Sequence, residues 1–217
     1  PVTAVWGYTV VNNQALYNST TSTNFQLHQS EESELVMKIL ARFIFRIIGW
    51  EIDKTSPEGL EKCVVVMGPH TSNWDFVLGK LAFISYGVSA KYLIKKAAFF
   101  FPFGILLRRM GGIPVDRSKK NNLTEIAADL FKESKELFLV FTPEGTRAYS
   151  PNWKKGFYYI ALAAKVPICI AYVDYKNKKG GFHSVIHPSG NVEDDIIRIK
   201  KILSQFSGRF PEKGITI

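Results

Sequence analysis

Lys62–Asp75 reads KCVVVMGPHTSNWD. Its first half, Cys63 to Met67, is a short β-branched apolar run stopped by Gly68-Pro69, and such a run predicts a buried strand. Its second half is polar and leads into Asp75–Tyr86, which can be helical. The segment is therefore a strand–loop–helix unit with a histidine, His70, at the turn.

The same alternation continues outward. Strands are predicted over Lys91–Ile94, Leu137–Phe141, Pro167–Val173 and Phe182–His187. Helices are predicted over Leu123–Glu133, Lys154–Lys165 and Glu193–Gln205, the last with acids first and lysines later, as the helix dipole favours. Ala97–Met110 reads as a helix broken by Pro102 and Gly104, and Gly111-Gly112-Ile113-Pro114 as a turn with a short extended piece. Strands alternating with helices indicate an α/β layered domain.

Two regions precede it. Residues 1–32 are rich in Asn, Thr, Ser and Gln, contain no Lys or Arg, and show no sustained period. They read as a flexible or non-native extension. Met37 opens a more domain-like sequence and is the expected native start; the domain is taken as 33–217. Within it, 33–50 reads as a basic amphipathic helix. Lys38, Arg42 and Arg46 share one face, and Ile39, Leu40, Phe43, Ile44, Ile47 and Ile48 fill most of the rest. The pattern suits a membrane interface, and equally an ordinary helix packed on the domain. Charges interrupt it well short of the roughly 18–20 apolar residues a spanning helix needs, and no small-residue cleavage site follows it.

Lys and Arg number 28 against 19 Asp and Glu, a formal charge of +9, which favours a polyanionic partner. The cations are dispersed, and no recognition helix or aromatic RNA platform is evident, so nucleic acid is not expected. Cys63 and Cys169 each lie in an apolar run without metal-ligand spacing and are expected as buried reduced thiols. His183 and His187 lie four apart, but neighbouring glycines and Pro188 argue against a helical metal pair.

Three segments carry groups suited to catalysis. In His70-Thr71-Ser72-Asn73-Trp74-Asp75 the two end residues would lie about 140° apart on a continuous helix. His70 is thus expected in the loop, with Asp75 in the first helical turn folding back toward it. A carboxylate on one ring nitrogen fixes the tautomer and leaves the other to take a hydroxyl proton. A structural histidine beside a chance acid would have the same spacing. In Gly111–Arg117, GGIPVDR, two glycines permit close backbone approach and Arg117 offers a fork for phosphate. A tight turn with a surface ion pair is the other reading. In Thr142–Arg147, TPEGTR, opposite charges sit on a short turn at a strand end, where ligands collect in α/β sheets. A local Glu144–Arg147 pair is the alternative there.

Taken in order, HTSNWD, GGIPVDR, TPEGTR and Val166-Pro167-Ile168 closely resemble the four motif blocks of the glycerolipid acyltransferase family, which includes the 1-acylglycerol-3-phosphate acyltransferases. WKKGFYYIALAAKVPI, residues 153–168, is similar to a bacterial branch. The resemblance implies a mixed, largely parallel central sheet flanked by helices. It also implies transfer of an acyl group from acyl-CoA or acyl-carrier protein to a lysophospholipid hydroxyl, most plainly 1-acylglycerol-3-phosphate to phosphatidic acid. His70 would be the base and Asp75 its partner. Arg117, Glu144, Gly145, Thr146 and Arg147 would surround the acceptor, and Lys96 would contact phosphate or, equally, be an ordinary solvated lysine. No metal or cofactor is expected beyond the thioester co-substrate. The setting implied is a membrane surface with anionic lipids, at the cytoplasmic face of the inner membrane, held peripherally or monotopically. Three departures stand out: Thr142 stands where a second apolar residue is more usual before proline, Ala97 lies where the family often has an acid, and the long N-terminal membrane segment of many relatives is reduced to the basic helix. The rival readings are another lipid acceptor and a lipid-binding protein without catalysis.

Overall fold

The computed structural model describes residues 32–55, 57, 59–116 and 122–217, with the side chain of Asn122 left out. The chain divides into two compact units, Pro1–Met37 and Lys38–Ile217. Of the first, residues 32–37 are helical; residues 1–31 of the expected extension lie outside the described residues.

The second unit opens with helix α1, residues 38–47. It buries Ala41 and Phe45 and leaves Ile39, Leu40, Phe43, Ile47 and Ile48 exposed. Strands β1 (Glu51–Ile52), β2 (Lys62–Gly68), β3 (Ala90–Lys95), β4 (Gly112–Val115), β5 (Leu137–Phe141), β6 (Ile168–Asp174) and β7 (Lys179–Ile186) form one sheet in the order β1-β7-β6-β2-β5-β3-β4. The five strands from β6 to β4 run parallel, β7 is antiparallel to β6, and β1 is parallel to β7. The sheet is mixed and largely parallel, as expected.

Helices cover both faces, so the central strands are apolar throughout rather than alternating. All seven residues of β6 are buried. Side chains nonetheless sort by parity, because successive residues point to opposite faces. Val64, Val66, Leu139, Ile168 and Ile170 pack with helices α4 (Asn122–Glu133), α5 (Gly156–Ala164) and α6 (Val192–Leu203). Cys63, Val65, Met67, Phe138, Val140, Cys169 and Ala171 pack with Phe45 of α1 and with Leu78 and Phe83 of helix α2 (Trp74–Tyr86). Both cysteines are free and buried.

The segment expected as a broken helix is a 3-10 turn at Lys96–Ala98 followed by helix α3, Phe103–Arg109. Parallel pairing sends the loops after β2, β3, β5 and β6 to a single sheet edge, and that edge carries the candidate site.

Gly111 bears out the close approach expected of GGIPVDR. It has φ +93°, and a Cβ there would lie 2.3 Å from the Ala90 carbonyl oxygen, so β4 can lie beside β3 only with glycine at this turn. Gly111→Ala is expected to destabilise the protein by about 2 kcal/mol or more, read as a lower urea midpoint with unchanged slope.

Candidate active site

His70 follows β2 directly, after a cis Gly68–Pro69 bond. Its imidazole Nδ1 lies 3.2 Å from Asp75 Oδ2. The distance is that of a contact pair, but the approach is off-axis and leaves Nδ1 without a well-formed hydrogen bond. Such pairs often align only when substrate is bound. The ring lines a cavity of 550 Å³, which leaves Nε2 as the nitrogen open to a ligand.

Asp75 occupies the first turn of α2 and is fully buried. Its Oδ2 accepts the Thr71 and Ser72 N–H groups, both at 2.7 Å, and its Oδ1 accepts the Tyr175 hydroxyl at 2.7 Å. The loop N–H donors thus find an acceptor where the helix dipole also favours negative charge. Burial alone would raise this carboxyl. His70, the Ser72 N–H, the Tyr175 hydroxyl and the Thr71 N–H outweigh burial and hold it below the ordinary carboxylate value. Tyr175 is a residue the sequence reading missed. It follows β6, the parallel neighbour of β2, and only that pairing brings it to the helix start.

The turn after β5 faces the same place. Arg147 Nη1 donates to Asn73 Oδ1, tying this turn to the residue before α2. Gly145 (φ +65°), Thr146 and Arg147 line the cavity with His70, Asn73 and Lys154. Met67, Phe76, Leu93, Val140, Phe157 and Ile160 add apolar wall. A Cβ on Gly145 would meet the Lys154 side chain at 2.8 Å, so this glycine lets the lysine lie across the turn.

Glu144 takes a different place. It is buried and does not line the cavity; its Oε1 accepts the His70 N–H at 3.0 Å, while Oε2 has no partner among the described residues. Burial pushes its carboxyl above the ordinary value, against the opposing effects of its own N–H, the His70 N–H and the His70 ring. Glu144 braces the histidine loop from behind. Lys96 is exposed on the turn after β3, at the same sheet edge, and does not line the cavity. Arg117 lies outside the described residues. Val166 and Ile168 are core. Among the described residues no group of three or more His, Cys, Asp or Glu is placed to hold a metal ion.

A family model described as acyltransferase matches residues 50–174, more than half of the chain. The chain belongs to the acyltransferase family. This acyltransferase also shares its fold with the crystal structure of the 1-acyl-sn-glycerophosphate (LPA) acyltransferase PlsC from Thermotoga maritima. The TM-score is 0.55 at 15% identity, over 85% of this chain and 87% of that one. No curated protein matches the acyltransferase in sequence. The family is the one that the ordered motifs resemble, and the match contains the histidine loop, GGIPVDR and TPEGTR.

The depressed Asp75 carboxyl makes a pH-dependent contribution to stability. A carboxyl lowered in the folded state stabilises above its unfolded value, near 3.8, and loses that contribution as pH falls through the folded value. Asp75→Asn is expected to lose about 2 kcal/mol at neutral pH. In urea titrations the gap to wild type should close only below pH 3.8.

Proposed function

We propose that this acyltransferase moves a fatty acyl group from a thioester donor, acyl-CoA or acyl-carrier protein, to a lysophospholipid hydroxyl. The acceptor proposed is 1-acylglycerol-3-phosphate, and the product phosphatidic acid. The observation that carries the reading is a cavity-lining histidine whose Nδ1 faces a buried, ionised carboxylate, with Arg147 and Lys154 on the same cavity wall. The solved structure of like fold is described as an LPA acyltransferase.

On this reading His70 Nε2 takes the acceptor hydroxyl proton as that oxygen attacks the thioester carbonyl carbon. A C–O bond forms. The tetrahedral species then collapses with loss of the C–S bond, and the imidazolium proton passes to the departing thiolate. Asp75 remains a carboxylate throughout and offsets the charge on the imidazolium. Arg147 is suited to the acceptor phosphate as a planar fork and Lys154 as a point charge. Arg117 is assigned to the same phosphate, Lys96 to phosphate at the same sheet edge outside the cavity wall, and Thr146 supplies a hydroxyl to the acceptor. Glu144 and Gly145 act through the turn: the first holds the His70 backbone, and the second makes room beside Lys154. No metal is needed, because the thioester is already activated.

The acceptor is membrane-borne, so the partner proposed is a membrane surface with anionic lipids, reached peripherally or monotopically. Helix α1 supports this with its exposed Ile39, Leu40, Phe43 and Ile47 beside Arg42 and Arg46. No described helix is long and apolar enough to cross a membrane. Donors of both classes are cytosolic, which puts the reaction at the cytoplasmic face of the inner membrane.

His70→Ala should lower transfer of radiolabelled acyl groups to lysophosphatidate about 10³-fold while leaving the circular dichroism spectrum intact; turnover near wild type would remove His70 as the base. Tyr175→Phe deletes one hydrogen bond to a charged group and should slow turnover about tenfold with little change in KM.

A further inference from the structure

Helix α3 leaves its apolar side chains in water. Phe100 is 61% exposed, Phe101 83%, Phe103 55%, Ile105 52% and Leu106 54%, and in α3 only Gly104 is buried. The reason is local. A Cβ at Gly104 would lie 2.7 Å from the Phe99 carbonyl oxygen, so the helix seats itself on the preceding loop through glycine backbone, with its larger side chains turned away. The rings of Phe100 and Phe103 support each other at 5.2 Å.

A surface of this kind marks an interaction site, and its charge indicates which kind. Residues 95–110 contain four cations, Lys95, Lys96, Arg108 and Arg109, and no acid. Lys95 and Lys96 are exposed just before the patch, and Arg108 and Arg109 fall in the last turn of α3, where Arg108 lies 5.3 Å from the Phe99 ring centroid. Aromatic side chains between cations match the boundary of an anionic bilayer, with rings below the headgroups and guanidinium groups among them.

Topology then sets the patch beside the reaction. Strand β3 runs parallel to β5, and β5 to β2. The chain leaving β3 at Lys96 therefore emerges on the sheet edge that carries His70 and TPEGTR, and Leu93 of β3 itself lines the cavity. Helix α1 packs elsewhere, through Phe45 against Cys63, Val65 and Ala171 of β2 and β6.

We propose that Phe100, Phe101, Phe103 and Leu106 form a second lipid-inserting foot, which sets the β3–β4 end of the catalytic edge onto an anionic bilayer independently of α1. The proposal rests on the acyl-transfer reading only for the acceptor being held in that bilayer.

The full chain carrying Phe101→Cys tests it. The native thiols of Cys63 and Cys169 are 0% and 1% exposed, so a polarity-sensitive dye labels the introduced thiol alone. Vesicles of phosphatidylcholine with phosphatidylglycerol should shift the dye to the blue and allow quenching by spin-labelled lipid. An unchanged spectrum overturns the foot and leaves the patch to a protein partner. Phe101→Asp should weaken partitioning onto the same vesicles about tenfold or more, with transfer to a short-chain, monomeric acceptor unchanged. Partitioning equal to wild type overturns the foot. Absence of transfer to the monomeric acceptor in both wild type and variant would sink the acyl-transfer reading, while the dye result still decides the foot.

Discussion

A fully buried carboxylate would be costly without partners, and Asp75 shows how the cost is met. Two loop N–H groups, a tyrosine hydroxyl and an imidazole surround it. They come from two places in the fold, the loop after β2 and the end of β6, and meet at the carboxylate on α2. Removing the acid would leave the Thr71 and Ser72 donors, both in buried residues, without an acceptor and free the Tyr175 ring. The loop geometry around His70 and the start of α2 therefore stand or fall together. The group that faces the histidine is the same group that the local fold requires.

Glu144 is the counterpart on the other side of the loop. Both acids are buried, yet their environments push them in opposite directions. Asp75 has a donor for each oxygen and stays ionised, whereas Glu144 has only its own N–H, the His70 N–H and the His70 ring to oppose burial, with no partner for Oε2 among the described residues, so burial prevails. Donors and burial act together: Asp75 has four partners to set against its burial, and Glu144 has fewer against a heavier one, with the Asp75 charge pushing the same way.

Much of this is legible in the sequence. The strand over Leu137–Phe141 falls where expected because its apolar run is cut sharply by Pro143, and β2 exceeds its expected bounds by one residue at each end. The fold-back of Asp75 was legible from five-residue spacing across a helix start. Other features depend on contacts that no local pattern records. Strand β1 is two residues long and exists only because Glu51 and Ile52 meet β7. Strand β7 begins at Lys179, three residues ahead of expectation, because Lys-Gly-Gly reads as turn yet pairs with the end of β6. Gly181 takes φ +152° there, and a Cβ would strike the Tyr86 hydroxyl at 2.4 Å. TPEGTR identifies a charged turn but not which charge faces inward: Glu144 turns under the histidine loop and Arg147 toward the cavity. Tyr175 needed the β2–β6 pairing.

The placement of Arg147 follows from the same pairing. Strands β2 and β5 are adjacent and parallel, with Val66 opposite Phe141, so their following loops start about 4.8 Å apart. Two contacts then lock the loops together, Glu144 to the His70 N–H and Arg147 to Asn73. Asn73 stands at the N-cap of α2 but makes no side-chain capping bond, and its carbonyl oxygen serves Arg147 instead. The separation between the imidazole and the guanidinium is therefore set by strand spacing and two cross-links, not by loop freedom. In the proposed reaction a base and an anion-binding group act on two ends of one small molecule, and that task needs this kind of fixed separation. The open sheet supplies it at the one edge where its parallel strands all end.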